Sequence, residues 1–175
     1  MVAQLRITLV QSENTAGTPP KVGEKAPRLE LVTGKGPDGG PTWFRLQEAI
    51  QNGPVIVAFF PGAFTSTCTS EMACFTRDWN KYGASGVQVI GVSVDSFPSL
   101  RAFSERHGYK VPFGSDFEKV ATRAWGLEEP FWWGRVAKRA TFIVDRDGVV
   151  RYADVLPNSD LEPDYAEIQR VVKDL

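Results

Sequence analysis

An unbroken apolar run, Val55-Ile56-Val57-Ala58-Phe59-Phe60, ends at Pro61-Gly62, and a helical pattern with a cysteine at its opening follows a few residues later. The run is rich in β-branched and aromatic residues and has no polar position, which suits a central strand covered on both faces. The helical pattern predicts a helix from about Thr67 to Tyr82. Its apolar stripe is Cys68, Met72, Phe75, Trp79 and Tyr82, spaced at +4, +3, +4 and +3. The stripe turns Cys68 inward. Cys74 falls about 100° from Phe75, on a flank it shares with the polar residues Thr67, Ser70, Asp78 and Lys81. A thiol at a helix opening meets unsatisfied backbone N–H groups and the positive end of the helix dipole. Both favour the thiolate, which is the nucleophilic form.

The rest of the chain organises around this strand, loop and helix. Residues 1–10 alternate and read as a strand, Gln11 to Pro20 as a loop, and residues 1–20 together as an N-terminal extension. Arg28 to Val32 reads as a short strand, and Trp43 to Leu46 as its return. Between them Gly34 to Pro41 forms a turn. Leu46 to Gln51 suits one helical turn, and Val87 to Val94 a second buried strand. Helices are expected over Pro98–His107, capped by Ser96, and over Phe117–Trp125, capped by Asp116. Glu128 to Arg135 reads as an aromatic-rich loop. Thr141 to Val144 is a third buried strand, turned by Asp147-Gly148 into Val149–Val155. Pro163 to Leu175 is a closing helix that starts near Ser159 or Asp160. Strands alternating with helices, then a hairpin and a helix, predict an α/β chain with a mixed sheet and helices on both faces, folded as one domain over residues 1–175.

Composition excludes several classes. The net charge is −1 and no basic block stands out, so nothing points to nucleic acid. No apolar run approaches the roughly 20 residues of a membrane span. The first ten residues lack the apolar core and cleavage site of a signal peptide. Two cysteines in 175 residues are too few for a disulfide scaffold, so the expected setting is a reducing cytoplasm. No Cys/His cluster has zinc spacing, no C-x-x-C is present, and no glycine-rich loop of nucleotide type appears. His107, the only histidine, reads as a surface residue at a helix end.

Pro61, Thr65 and Cys68 match the P-x-x-x-T-x-x-C signature of the peroxiredoxins. Val22-Gly23-Glu24-Lys25-Ala26-Pro27 resembles that family's opening segment, Val89 to Asp95 its second core strand, and Arg139 to Asp145 its arginine-bearing strand. The resemblance spans about Lys21 to Leu156 and implies a thioredoxin-like fold. It implies a thiol peroxidase for hydrogen peroxide and alkyl hydroperoxides that uses no metal, haem or flavin and is recycled by thioredoxin or another thiol. Cys68 would attack the peroxide and become a sulfenic acid. The hydroxyl of Thr65 would bond the thiolate and the incoming peroxide. Pro61 would shape the loop and shield the sulfur. Arg139 would hold the thiolate and the peroxide oxygens with an always-charged fork, with Arg135 and Lys138 as nearby rivals. Glu71 suits a solvated first turn, and in the family a Glu here orients the arginine.

The family's peroxiredoxin Q, or bacterioferritin-comigratory, group resolves its sulfenic acid with a cysteine five residues on. Here the candidate, Cys74, is six residues on. Six helical residues rise about 9 Å and a disulfide needs Cα atoms within about 7 Å, so either gap demands local unwinding. Cys74 is a resolving cysteine on the resemblance and a spare helical cysteine without it. The aromatic cluster from Trp125 to Trp133 reads as core or as the contact of a homodimer. Three alternatives stay open: a one-cysteine enzyme recycled by an external thiol, a peroxide sensor or holdase with little turnover, and a binding domain with a dead site.

Overall fold

The computed structural model describes residues 17–175; the strand expected over 1–10 and the start of the loop after it lie outside the described residues. A seven-stranded sheet runs through the centre in the order β2 (Pro41–Arg45), β1 (Glu30–Lys35), β5 (Phe113–Ser115), β4 (Gln88–Ser93), β3 (Val55–Phe59), β8 (Ala140–Val144), β9 (Val150–Val155). Strands β3, β4 and β5 are parallel, whereas β8, β9, β1 and β2 join antiparallel. This is the mixed sheet that the alternation of elements predicts.

Every residue of β3 and β8 is buried, because successive side chains point to opposite faces and both faces are covered. Val55, Val57 and Phe59 enter one core with Leu31, Trp125 and Phe142. Leu46 of α1 (Leu46–Ala49) and Ala121 of α5 (Val120–Ala124) close that face. Ile56, Ala58 and Phe60 enter the other core with Cys68, Met72, Phe75, Leu100, Phe103 and Ile168. These come from α2 (Ser66–Arg77), α4 (Phe97–His107) and α6 (Tyr165–Lys173).

Four expectations are corrected. The helix expected over Thr67–Tyr82 is broken into α2 and α3 (Trp79–Ala84) at Asp78, whose φ of −93° and ψ of 6° leave the helical path. Asp78 is buried rather than on a solvated flank. Its carboxylate accepts from Arg77 at 3.0 Å, Lys81 at 2.7 Å and Gln169 of α6 at 3.0 Å. Convergence of these donors on one buried carboxylate fixes the break where apolar periodicity has no signal. The helix expected over Phe117–Trp125 starts only at Val120. Asp116 does cap it, accepting from Ala121 N and Thr122 N, but Lys119 sits at φ 60° and delays the first turn. The aromatic loop of Glu128–Arg135 is a hairpin, β6 (Glu128–Phe131) with β7 (Gly134–Ala137). The closing helix is capped by Asp164, which accepts from Glu167 N at 3.0 Å. Ser159 and Asp160 belong instead to a loop before it. Strand β5, three residues long, is too short to show a period and was not expected.

Helix α2 packs close to the sheet at Gly91 of β4. A Cβ there would stand 2.8 Å from the Phe113 ring and 3.1 Å from Met72 Sδ. Gly91→Val therefore overpacks the layer that seats α2 and is expected to cost about 1–3 kcal/mol. Denaturant unfolding checks this: the midpoint falls for the variant, and an unchanged midpoint would mean that α2 does not press on β4.

Candidate active site

Strands β3 and β4 run parallel and end together, at Phe59 and Ser93. Phe60 N still donates to Val92 O at 2.9 Å, and then Pro61 and Gly62 turn the chain away. The carboxyl ends of parallel strands are where open α/β sheets bind ligands. The loop is fastened from β4: Asp95 Oδ2 accepts from Ala63 N at 2.7 Å and from Ser93 Oγ at 2.6 Å. Phe64 is held at φ 64°, a conformation that costs a bulky residue about 1–3 kcal/mol. Its ring packs on Phe103 with centroids 5.1 Å apart. Thr65 then takes extended angles as the residue before α2.

Cys68 stands in the first turn of α2 and is buried. The first intrahelical bond here is Thr69 N to Thr65 O, 2.9 Å, so the N–H groups of residues 66 to 68 face the loop without helical partners. Cys74 lies in the same helix, half-buried, and both thiols are free. The flank of Cys74 is less open than the sequence suggests. Tyr165, the first residue of α6, packs its ring on Phe75 at 5.7 Å, and Gln169 reaches Asp78.

The cation comes from the other side of β3. Strand β8 runs antiparallel to it with Ala140 opposite Phe59. Arg139, one residue before β8, is thereby set beside the loop that follows β3. Its Nη2 donates to Cys68 Sγ at 3.3 Å, and its Nη1 donates to Glu71 Oε2. Nε and Nη2 both donate to the carbonyl of Ser159, at 3.1 and 2.8 Å. Arg139 and Glu71 are 1 % and 0 % exposed. Glu71 is thus a buried partner of the arginine and not a solvated first-turn residue. The rival Arg135 is exposed and pairs with Glu128 at 3.2 Å.

Burial pushes the Glu71 carboxyl up, to about 7, against the downward pull of Arg139, and the neighbouring Glu162 adds to the rise. Its Oε1 has no hydrogen-bond partner among the described residues. Thr65 differs in one respect from expectation. Its hydroxyl donates to Gly62 O at 3.0 Å rather than to the sulfur. The oxygen lone pairs remain available to accept an O–H from a bound molecule.

A cavity of about 130 Å³ opens over the sulfur, and Pro61, Thr65, Cys68 and Arg139 all line it. Ser66 and Thr67 line it too, and sequence reasoning missed the parts of the lining that come from elsewhere in the chain: Ser159 and Asp160 from the loop after β9, and Phe131, Trp132 and Trp133 from the β6–β7 hairpin. Trp133 lies against Gly62, where a Cβ would approach its ring to 3.2 Å. The aromatic cluster divides accordingly: Trp125 is fully buried core, and the hairpin rings form the cavity mouth. Among the described residues no group of three or more His, Cys, Asp or Glu side chains converges as a metal site. The arrangement presents a buried thiol at a helix start, a fixed cation bonded to its sulfur, and a small opening with hydroxyl acceptors. It suits attack by sulfur on a small polar electrophile.

The model of the AhpC/TSA family matches residues 22–153. The chloroplastic peroxiredoxin Q of Triticum aestivum is 30% identical over 126 residues, covering 70% of this chain and 55% of the relative. The chain thus spans little more than half the length of that relative. Peroxiredoxin 2 of Thermoplasma acidophilum is 31% identical over 161 residues, covering 88% of this chain and 75% of the relative. Among solved structures, the reduced 2-Cys peroxiredoxin of Plasmodium vivax superposes with a TM-score of 0.75 at 25% identity, covering 89% of this chain and 81% of that one. The fold of the Mycobacterium tuberculosis peroxidoxin BcpB superposes with a TM-score of 0.75 at 23% identity, over 89% of this chain and 98% of that one.

The raised Glu71 carboxyl has a consequence for stability. Between its ordinary value of 4.5 and about 7 the folded chain holds a proton there that the unfolded chain has released. More protons bound in the folded state means that this group's contribution to stability falls as pH rises through that window. The stability of Glu71→Gln minus that of wild type is therefore expected to grow from pH 4.5 to 7, measured by denaturant unfolding at each pH. A difference that stays flat would place the carboxylate in its ionised form throughout.

Proposed function

The chain belongs to the AhpC/TSA family, the peroxiredoxins, and we propose that it is a thiol-dependent peroxidase acting through Cys68 on hydrogen peroxide and organic hydroperoxides. One observation carries the reading: the Cys68 sulfur, buried at the opening of α2, accepts a hydrogen bond from the buried Arg139 guanidinium at 3.3 Å. A charge-assisted donor of this kind supports the anionic sulfur and, as the peroxide bond stretches, the developing oxyanion. In the proposed step the thiolate attacks the terminal peroxide oxygen. The S–O bond forms as the O–O bond breaks, sulfur is oxidised to the sulfenic acid, and the leaving oxyanion takes a proton from water to give water or an alcohol. Thr65 orients the peroxide by accepting its O–H, since its own proton is committed to Gly62. Pro61 walls the cavity and has no N–H to compete for the sulfur. Glu71 and the Ser159 carbonyl position the guanidinium.

Resolution is assigned to Cys74. Its thiol displaces water from the Cys68 sulfenic acid to form a disulfide within the chain, which thioredoxin or another dithiol then reduces. Both cysteines lie in α2, six residues apart, so the first turns must unwind. The break at Asp78 favours this, because α2 can open without disturbing α3. The residues to be freed are mostly small or hydroxyl-bearing; the buried anchors are Met72 and Glu71, so the opening also releases Glu71 from Arg139.

Peroxide consumption by wild type, Cys68→Ser and Cys74→Ser, each with thioredoxin and with a small thiol, tests the assignment. Cys68→Ser is expected to lose turnover entirely, since a hydroxyl at this site is neither ionised nor as nucleophilic. Retained turnover would overturn the reading. Cys74→Ser is expected to keep turnover with the small thiol and lose it with thioredoxin. Mass spectrometry of peroxide-treated wild type should find a Cys68–Cys74 cross-link within one chain. A stable sulfenic or sulfinic acid at Cys68 with Cys74 free would make this a one-cysteine enzyme. Arg139→Gln is expected to slow the peroxide step by about 10²–10³ in stopped-flow measurements, the usual effect of removing a donor of this kind.

A further inference from the structure

The cavity over Cys68 has two unlike walls. One is polar: Thr65, Arg139, Ser159 and Asp160. The other is the aromatic tip of the β6–β7 hairpin. Phe131 and Trp133 stand with centroids 4.2 Å apart, and Trp132 meets Trp133 at 4.8 Å and 86°. Each ring packs on the next, so the three form one continuous aromatic face. Trp133 is anchored on Gly62, which ties the hairpin to the loop that carries the thiol. Trp132, at the rim, is 85 % exposed although it lines the cavity. A tryptophan so placed leaves a large apolar face in water, and nothing else in the described chain covers it.

The size of the opening points the same way. A volume of about 130 Å³ is roughly that of four waters. Hydrogen peroxide, a pair of oxygen atoms, leaves most of it wet. The cavity leaves room for a larger hydroperoxide that sets its O–O end against Arg139 and Thr65 and extends its carbon end over the aromatic rings at the mouth.

We propose that the Phe131-Trp132-Trp133 hairpin is a specificity wall that selects hydroperoxides with an aryl or branched alkyl group over hydrogen peroxide, with Trp132 the residue that covers the apolar group. The wall touches the carbon part of the substrate and leaves the reacting oxygens to the polar side. The inference rests on the peroxidase reading above and names the substrate class of that same site.

The test is the ratio of kcat/KM for cumene hydroperoxide to kcat/KM for hydrogen peroxide, with a small thiol as reductant, in the full chain and in Trp132→Ala and Trp132→Phe. Trp132 is so exposed that neither variant is expected to unfold. Trp132→Ala is expected to lower the ratio about tenfold, the scale at which apolar pockets discriminate, and Trp132→Phe to keep most of it. A ratio that does not move in Trp132→Ala overturns the inference while leaving the peroxidase reading in place. A wild type that consumes neither peroxide overturns both. Sedimentation of the same proteins supplies the other arm. A dimer that becomes a monomer in Trp132→Ala, with the ratio preserved, would make the hairpin an interface between two copies and would likewise overturn the inference.

Discussion

A guanidinium buried in the interior is the constraint around which this molecule is built. Arg139 is 1 % exposed and spends all of its nitrogens on three partners: the Glu71 carboxylate, the Ser159 carbonyl and the Cys68 sulfur. Those partners belong to two separate segments, α2 with Cys68 and Glu71 and the loop after β9 with Ser159. Leaving the buried guanidinium without these partners costs several kcal/mol. The sheet register, the seating of α2 and the path of the 156–160 loop must therefore agree for the arginine to be tolerated at all. A buried ion pair of this kind is weak evidence of stability, since apolar residues of similar volume often serve as well or better. What apolar residues cannot do is present a fixed cation to a sulfur.

Polar side chains likewise set the irregular parts of the fold. Asp95 holds the Pro61–Thr65 loop by its Ala63 N–H and so sustains the unfavourable angles at Phe64. Asp78 gathers two cations and an amide and ends α2 after three turns. Glu162 accepts from Ser70 at 2.7 Å and from Tyr165 at 2.8 Å, joining α2 to the start of α6. Each of these carboxylates works at long range or at an element boundary. The apolar layers fix where the helices lie, and the carboxylates fix where they begin and end.

The same division separates what sequence reasoning reached from what it did not. The strand at Val55–Phe59, the turn after it and the cysteine at the following helix start were all legible, because a period and a pair of turn residues encode them within a few neighbours. The Ser96 cap and the Asp147-Gly148 turn were legible for the same reason. Glu71 read equally well as a solvated residue, because its partner is 68 positions away. Asp78 read as surface, because its burial depends on α6. The aromatic segment Phe131-Trp132-Trp133 read as a loop, since a short hairpin with aromatic residues at its tip has no alternation to detect.

By itself, then, the sequence determined a thiol at the amino end of a helix after a buried central strand, and with it the family resemblance. The resemblance also named Arg139 as that thiol's partner; only the tertiary structure decided that Glu71 and Ser159 hold the guanidinium there and that an aromatic wall stands on Gly62. The physical reason is that backbone periodicity and turn chemistry are local. The pairing of Ala140 with Phe59, which carries the cation to the sulfur, exists only once strands far apart in the chain have met.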